Sequence, residues 1–178
     1  GIDGDGIDTL RGGDGTDWLF GGGDVDRLEG GAGDDYLDGG LGNELFVSGG
    51  AGRDVVRGGF GDDVLHGDSG LDQLYGDDGR DTLFGDSGDE TTGSLLGQRL
   101  WGGADSDFLY AYAASQLIAE TGLAGDELHG EGGGDFIYGN LRQDLLFGET
   151  GNDYIHGDYL SGPNYALNTS AALTGGND

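Results

Sequence analysis

The sequence predicts an all-β fold in which short parallel strands stack, coil upon coil, into a solenoid. Three observations predict it: a nine-residue repeat, an aliphatic residue at a fixed place in each repeat, and glycine-rich segments between those residues. Glycine supplies 44 of the 178 residues, whereas proline occurs once, at Pro163. Because no sustained Gly-X-Y period accompanies the glycine, the composition does not predict collagen.

The charge of the chain narrows the possible partners. Acidic residues number 35 against seven basic ones, which gives a formal net charge of −28. We therefore expect no nucleic-acid partner, since phosphate binding requires clustered positive charge. No apolar run approaches the roughly eighteen residues of a transmembrane helix, so we expect no membrane insertion. Unscreened repulsion would oppose folding, so the composition permits either a disordered acidic chain or a fold that binds cations.

The repeat itself is carried by aspartates nine residues apart, each followed two residues later by a large aliphatic residue. The aspartates are Asp8, Asp17, Asp26 and Asp35, then Asp54, Asp63, Asp72 and Asp81, then Asp126, Asp135, Asp144 and Asp153, with a further copy at Asp107. Glycines fill the preceding positions, as in Gly12-Gly13-Asp14-Gly15-Thr16-Asp17-Trp18-Leu19-Phe20. The unit is G-G-x-G-x-D-x-U-x, in which U is aliphatic.

Each half of the unit predicts a different local structure. The last three residues, such as Trp18-Leu19-Phe20, read as a short strand with its middle side chain directed inward. The six residues before them must turn the chain, and glycine allows both positive φ and a close approach of backbone to an ion. Two units then form one coil of about eighteen residues, and stacking buries an aliphatic column that no single repeat could bury. Carboxylate and carbonyl oxygens in the turns favour calcium as the ion.

This unit resembles the repeat of the RTX (repeats-in-toxin) family, and the resemblance covers most of the chain. It implies a parallel β-roll of about seventeen nonapeptide units, two to a coil, with several calcium ions between turns of repeats n and n+2. The motif aspartates of both turns would contribute, with carbonyls from the glycine-rich positions. All thirteen aspartates named above are thereby candidate metal ligands. The implied pairs are Asp8 with Asp26, Asp17 with Asp35, Asp54 with Asp72, Asp63 with Asp81, Asp126 with Asp144 and Asp135 with Asp153.

The pattern departs from regularity in four places. Residues 39–48 contain one extra residue, with Glu44 at the aspartate position, and residues 85–92 are one short, with Glu90 there. Residues 93–101 and 111–120 read as degenerate units with Gln98 and Gln116 at the aspartate position, where we expect a weak calcium site or none. A short inserted helix is the alternative for Ala111–Glu120. Residues 158–174 are the least repeat-like, and we expect a protruding loop there.

Many outward strand positions are aromatic. They are Trp18, Phe20, Tyr75, Phe84, Trp101, Phe108, Tyr110, Phe136, Tyr138, Phe147 and Tyr154. Aromatic residues favour strands and can cover glycine-rich neighbours, which is the simpler interpretation. The alternative is lateral packing against another roll, a flanking domain or a carbohydrate.

We expect no enzymatic activity from this chain. Gly67-Asp68-Ser69-Gly70 and Gly85-Asp86-Ser87-Gly88 mimic a serine-protease signature, but both fall inside repeats. The three histidines, His66, His129 and His156, each end a repeat and should be scattered on the outside of the roll. Carboxylates engaged with calcium would not be free for acid–base chemistry.

The leading functional hypothesis is a structural calcium-binding module, residues 1–178, of a longer secreted or cell-surface bacterial protein. Surface-layer proteins, adhesins and fibrils are the types considered, and the resemblance implies export by a type I system. The alternatives are the carboxy-terminal roll of a secreted protease, lipase or toxin, and a self-assembling filament subunit. Calcium is the expected partner, with lateral self-association or flanking β-roll domains as further possibilities.

Overall fold

The computed structural model describes residues 6–86, 97–111, 124–140, 143–157 and 172–175. Within these ranges the chain forms sixteen β-strands and no helix, and so no helix capable of crossing a membrane is found there. The strands are β1 Thr9–Asp14, β2 Trp18–Gly23, β3 Arg27–Ala32, β4 Tyr36–Leu41, β5 Phe46–Gly52, β6 Val55–Phe60, β7 Val64–Gly70, β8 Gln73–Asp78, β9 Thr82–Phe84, β10 Arg99–Ala104, β11 Phe108–Tyr110, β12 Ala124–Gly133, β13 Phe136–Tyr138, β14 Gln143–Gly151, β15 Tyr154–His156 and β16 Ala172–Gly175.

Successive strands alternate between two parallel sheets. The odd-numbered strands form one eight-stranded sheet in the order β1 to β15, and the even-numbered strands form the other, from β2 to β16. Each strand pairs in parallel with the strand two further along the chain, so two repeats complete one coil. The predicted parallel β-roll is confirmed, with about seven turns.

The core is the aliphatic column that the repeat predicts. The fully buried members are Leu28, Leu37, Val47, Val56, Leu65, Leu74, Leu83, Leu100, Leu109, Leu128, Ile137 and Leu146. Equivalent residues of adjacent coils are direct ladder partners, as with Leu28 and Val47 or Val56 and Leu74. Burial of each such side chain contributes about 1.5–3 kcal/mol, although only the stacked coil provides the partners.

Most strands are longer than the three residues expected, because pairing continues into the next turn. Gly22 of β2 pairs with Gly40 of β4, two residues beyond the aromatic or charged end of the motif. Gly40 has φ of 103°, and a Cβ there would collide with the carbonyl oxygen of Gly22. Only glycine allows the coils to approach so closely at this point.

The interpretation of residues 85–92 and 111–120 as repeat units of their own is wrong. Gln98 and Leu100 do occupy the aspartate and aliphatic positions, but they belong to the coil directly after Asp72 and Leu74. Asp126, rather than Gln116, then occupies the next position on that edge. The separations are 26 and 28 residues in place of 18, so extra residues are inserted into these two coils.

Insertions of this kind keep the register of the strands intact. A shift within a strand would turn buried side chains outward, whereas additional residues in a connection leave the facing of the strands unchanged. Glu90, Gln116 and most of 111–120 lie outside the described residues, and with them the alternatives of an inserted helix and a degenerate coil. The described strands β8 and β10, β10 and β12, and β9 and β11 are direct pairing partners, so no further strand stands between them.

The repeat resumes inside the segment expected to be a loop. Ala172–Gly175 forms β16, and Leu173 pairs with Leu146 of β14. Residues 158–171 lie outside the description. All three long insertions therefore follow an odd-numbered strand and precede an even-numbered one, at the connections β9–β10, β11–β12 and β15–β16.

Aromatic side chains on the outer faces stack on one another from coil to coil. Tyr75 and Trp101 lie 4.6 Å apart between ring centroids, with their planes within 4°. His129 and Phe147 continue this series, at 5.8 Å and 4.6 Å between successive rings. On the other sheet Tyr110 stacks on Tyr138 at 5.0 Å. Ring faces are thus covered by neighbouring rings, which favours the interpretation that the aromatics stabilise the strands.

Candidate metal centre

The motif side chains line two edges of the roll. We call the turns before odd-numbered strands the odd edge; it carries Asp8, Asp26, Glu44, Asp63, Asp81, Asp107, Asp135 and Asp153. The turns before even-numbered strands form the even edge, which carries Asp17, Asp35, Asp54, Asp72, Gln98, Asp126 and Asp144. Each residue lies directly above its counterpart in the preceding coil. Most stand immediately before a strand, whereas Asp126 and Asp144 lie within the first residues of β12 and β14.

We call each motif position on an edge a rung. One carboxylate oxygen of an acidic rung accepts a hydrogen bond from the backbone of the previous coil. The N–H of Asp54 donates to Oδ1 of Asp72, and the N–H of Asp63 donates to Oδ1 of Asp81, both at 2.8 Å. Equivalent bonds join Asp8 to Asp26, Asp17 to Asp35, Asp35 to Asp54, Glu44 to Asp63, Asp81 to Asp107, Asp107 to Asp135, Asp126 to Asp144 and Asp135 to Asp153. The predicted pairs are therefore neighbours in space on the predicted edges.

The other carboxylate oxygen has no hydrogen-bond partner although it is buried. This is true of Oδ2 in Asp17, Asp26, Asp35, Asp54, Asp63, Asp72, Asp81, Asp107 and Asp135, and of both oxygens of Glu44. A buried acceptor without a partner costs about 1–3 kcal/mol, and more when it carries a charge. Ten such side chains in regular succession call for a common positively charged partner.

A glycine at the first place of most turns lets that oxygen lie close beside a carbonyl oxygen of the next coil, where a Cβ would collide with both. A Cβ built on Gly12 would lie 2.6 Å from Oδ2 of Asp17 and 2.6 Å from the carbonyl oxygen of Gly30 in the next coil. A Cβ on Gly130 would likewise collide with Oδ2 of Asp135 and approach the carbonyl oxygen of Gly148. Carboxylate and carbonyl oxygens therefore lie side by side at these places, and these are the ligands that suit calcium.

Burial also makes these carboxylates hard to ionise without a cation. Desolvation raises the pKa of Asp54 and Asp135 to about 6, of Asp81 to about 7, and of Asp72 and Asp107 to about 8. Hydrogen bonds from the backbone oppose this effect but do not overcome it. Near neutral pH, protons and metal ions therefore compete for the same oxygens.

Comparison with known proteins agrees with this geometry. The family model of the RTX calcium-binding nonapeptide repeat matches residues 2–28, 12–45, 46–74, 58–91, 92–114 and 129–158. The chain belongs to the RTX calcium-binding repeat family. A search of curated proteins found no match.

All thirteen predicted aspartates form a backbone-to-carboxylate hydrogen bond with an acidic residue of an adjacent coil, and Asp153 ends the odd-edge series as the acceptor for Asp135. Their role as calcium ligands stays a prediction. Asp126 and Asp144 differ from the rest because Oδ2 of each accepts a hydrogen bond from Asn140. The predicted calcium pair Asp126–Asp144 thus has protein donors in place of an open oxygen.

Two residues of the edges have roles that the sequence does not predict: Glu44 is a further candidate ligand, and Asn140 donates hydrogen bonds to two motif aspartates. Glu44 stands at an aspartate position, as predicted, but it was not counted among the ligands, and both of its oxygens are buried without partners. The extra residue after it is Leu45, whose side chain is 71% exposed. The sequence analysis does not identify Asn140. The only indication in the sequence is that asparagine stands at the second place of the turn 139–144, where the repeat has glycine.

The turns carry further acidic residues at their second and fourth places, and some of these form ion pairs on the surface of the roll. All six non-glycine residues with positive φ among those described are acidic: Asp24, Asp68, Asp77, Asp105, Glu131 and Glu149. Asp77 pairs with Arg57 at 2.8 Å, and Glu149 lies 2.9 Å from Nδ1 of His129. Asp77 and Glu149 thus contact side chains on the outer surface of the roll. The three histidines are spread along the outer faces, as predicted.

Proposed function

We propose that this chain is a structural calcium-binding module of a secreted or cell-surface bacterial protein, of the surface-layer, adhesin or fibril type. It folds when it meets calcium outside the cell. The observation that carries this proposal is the column of buried carboxylate oxygens with no partner in the protein. The support is physical: a chain of net charge −28 cannot pack these groups side by side until cations join them.

The proposed ligands are the motif carboxylates and the glycine carbonyls beside them. In Asp81, for example, Oδ1 positions the preceding coil, whereas Oδ2 lies beside Gly76 and the carbonyl oxygen of Gly102 in the next coil. Calcium supplies the positive charge and accepts oxygen ligands from both coils, so that it joins them. The aliphatic column between the edges then becomes buried, which couples metal binding to folding.

A purely structural role is consistent with how the side chains are used. Among the described residues no group of three or more His, Cys, Asp or Glu side chains converges on one point. The buried motif carboxylates are instead distributed along the two edges, one at the end of almost every turn. A regular array of this kind suits repeated binding of the same ion along a rigid roll.

The concentration of calcium needed for folding tests the proposed location. Protease resistance of the full chain should be titrated with calcium, and the expected midpoint lies near 10⁻⁴–10⁻³ M, the range of extracellular calcium modules, as an order of magnitude. Below that range the chain should be digested throughout. A midpoint on the order of 10⁻⁷ M, the range of cytosolic sensors, would mean folding before export and would contradict the proposal.

A further inference from the structure

The even edge changes in composition after Asp72. Its earlier turns carry the glycine pattern, as in Gly67-Asp68-Ser69-Gly70, whereas the turns that lead to Gln98, Asp126 and Asp144 do not. In those three later turns, no described residue has positive φ. The odd edge keeps its first glycine and its left-handed residues as far as Gly151.

Gln98 makes the contact that an aspartate makes on other turns, and it also occupies a carbonyl oxygen that the proposed ion would need. Its Oε1 accepts the N–H of Asp72 at 2.6 Å, the bond that Oδ1 of an aspartate forms on other rungs. Its Nε2 donates to the carbonyl oxygen of Gly70 at 2.7 Å. Gln98 is 1% exposed, so this amide lies inside the edge. The amide NH₂ group presents hydrogens with partial positive charge and so cannot ligate a cation, and it already donates to the carbonyl oxygen of Gly70, an oxygen that an ion at this place would need.

Asn140 repeats this substitution in the next coils. Its Nδ2 donates to Oδ2 of Asp126 at 2.6 Å, and its backbone N–H donates to Oδ2 of Asp144 at 2.6 Å. Asn140 is 3% exposed. The two oxygens that the repeat would direct at an ion therefore receive hydrogen bonds from one asparagine.

We propose that the roll binds calcium asymmetrically: the odd edge is ion-bound along its length, whereas the even edge beyond Asp72 is joined by the amides of Gln98 and Asn140. This inference rests on the proposed calcium function. Eight acidic rungs on the odd edge bound seven gaps, and the four from Asp17 to Asp72 on the even edge bound three. Calcium capacity is then ten ions, and the three remaining even gaps hold none.

The amide rungs coincide with the long insertions. The connections β9–β10 and β11–β12 both belong to the even edge. A calcium turn fixes its glycines closely around the ion, so extra residues are tolerated better where side-chain hydrogen bonds have replaced the ion. The metal-free part of the edge is thus the part at which the sequence is free to expand.

Two reciprocal substitutions test the inference in the full chain. Gln98→Glu replaces the amide by a carboxylate of the same length, and Glu44 shows that glutamate fits an aspartate position of this roll. At saturating calcium, native mass spectrometry should count one more ion in Gln98→Glu than in the unmodified chain. Glu44→Gln should bind one ion fewer. Asn152→Asp, which adds the same charge at an exposed position of the odd edge, should leave the count unchanged.

The outcomes separate this inference from the proposed function. A chain that binds no calcium would overturn both. Binding of thirteen ions by the unmodified chain, or equal counts for Gln98→Glu and Asn152→Asp, would overturn the asymmetry alone. If Gln98→Glu does not fold, NMR of the calcium-loaded unmodified chain decides the matter. The side-chain NH₂ of Gln98 should then exchange slowly with solvent, and rapid exchange would contradict the amide rung.

Discussion

Asp63 donates its backbone N–H to Oδ1 of Asp81 at 2.8 Å, while Oδ2 of Asp81 is buried with no hydrogen-bond partner. One carboxylate therefore has two separate roles. Oδ1 sets the distance between two coils, and Oδ2 faces the space proposed for calcium. Because the two roles belong to different atoms, substitutions can remove one and keep the other.

Asp81→Asn keeps an acceptor for Asp63 but removes the charge. In calcium we expect the midpoint of folding to rise about tenfold or more, since loss of even a supporting group costs 10–100-fold in metal affinity. In excess chelator the same variant should be more stable than the unmodified chain, because a buried carboxylate with a raised pKa has been removed. Calcium titrations followed by circular dichroism measure both effects.

The matched control is Asp78→Asn, which removes the same charge from an exposed position in the same turn. It should change the calcium midpoint of folding and the stability in chelator only slightly. If Asp81→Asn shifts stability in the same direction with and without calcium, Oδ2 of Asp81 is not an ion ligand.

The metal-free roll should respond to pH in the direction opposite to most proteins. Burial raises the pKa of Asp54, Asp72, Asp81, Asp107 and Asp135 from an ordinary value of 3.8 to between about 6 and about 8. The folded chain therefore holds more protons than the unfolded chain between about pH 4 and pH 8, and its stability falls as the pH rises through this range.

Circular dichroism in excess chelator should accordingly show β structure returning as the pH is lowered from 8 to 5. In saturating calcium the signal should stay constant between pH 6 and pH 8, because the ion replaces the proton. Sedimentation must accompany the scan, since the pI is about 4.1 and an uncharged chain can aggregate. A monomeric chain that loses β structure on acidification in chelator would contradict the assignment.

Two glycines in one turn should differ in their tolerance of a methyl group. A Cβ on Gly130 would collide with Oδ2 of Asp135, whereas the nearest atoms to a Cβ on Gly132 are 3.6 Å away. Gly130→Ala should therefore weaken calcium binding and raise the folding midpoint several-fold or more. Gly132→Ala should leave calcium binding unchanged. Calorimetric titration measures both, and equal affinities would place the ion away from Asp135.

Much of the fold follows from the sequence because a residue's place in the nine-residue repeat predicts both its strand or turn and its burial. Leu74 and Leu100 could both be assigned to the core from their distance to the motif position, and both are fully buried. Gln98 was likewise placed correctly at the edge. The local pattern of one strand and one turn is sufficient for these residues, since each coil repeats the environment of the last.

The phase across the insertions could not be predicted in the same way. Gln116 and Ile118 imitate a motif, but Asp126 and Leu128 take that rung, because only the pairing of β10 with β12 shows which residues are neighbours. The role of Asn140 could not be predicted from the sequence either. Its side chain reaches Asp126, 14 residues earlier, a contact that depends on how two coils stack rather than on either turn alone.

The stacked rings should stabilise the roll in a measurable way. A double-mutant cycle with Tyr75→Leu and Trp101→Leu should give a coupling free energy of about 0.5–1.5 kcal/mol, because the rings lie 4.6 Å apart. A cycle with Tyr75→Leu and Phe147→Leu, which sit on β8 and β14 without a shared contact, should give a value near zero. Absence of coupling in the first pair would remove the support for a purely stabilising role.

The direct test of the calcium-dependent fold is circular dichroism, with sedimentation velocity, on the full chain at neutral pH in excess chelator and in millimolar calcium. We predict little β signal and an expanded chain in chelator, then full β signal and a compact particle in calcium. The orphan oxygens on both edges and the charge of −28 are the reason. Complete β signal and a compact particle in excess chelator would contradict the account.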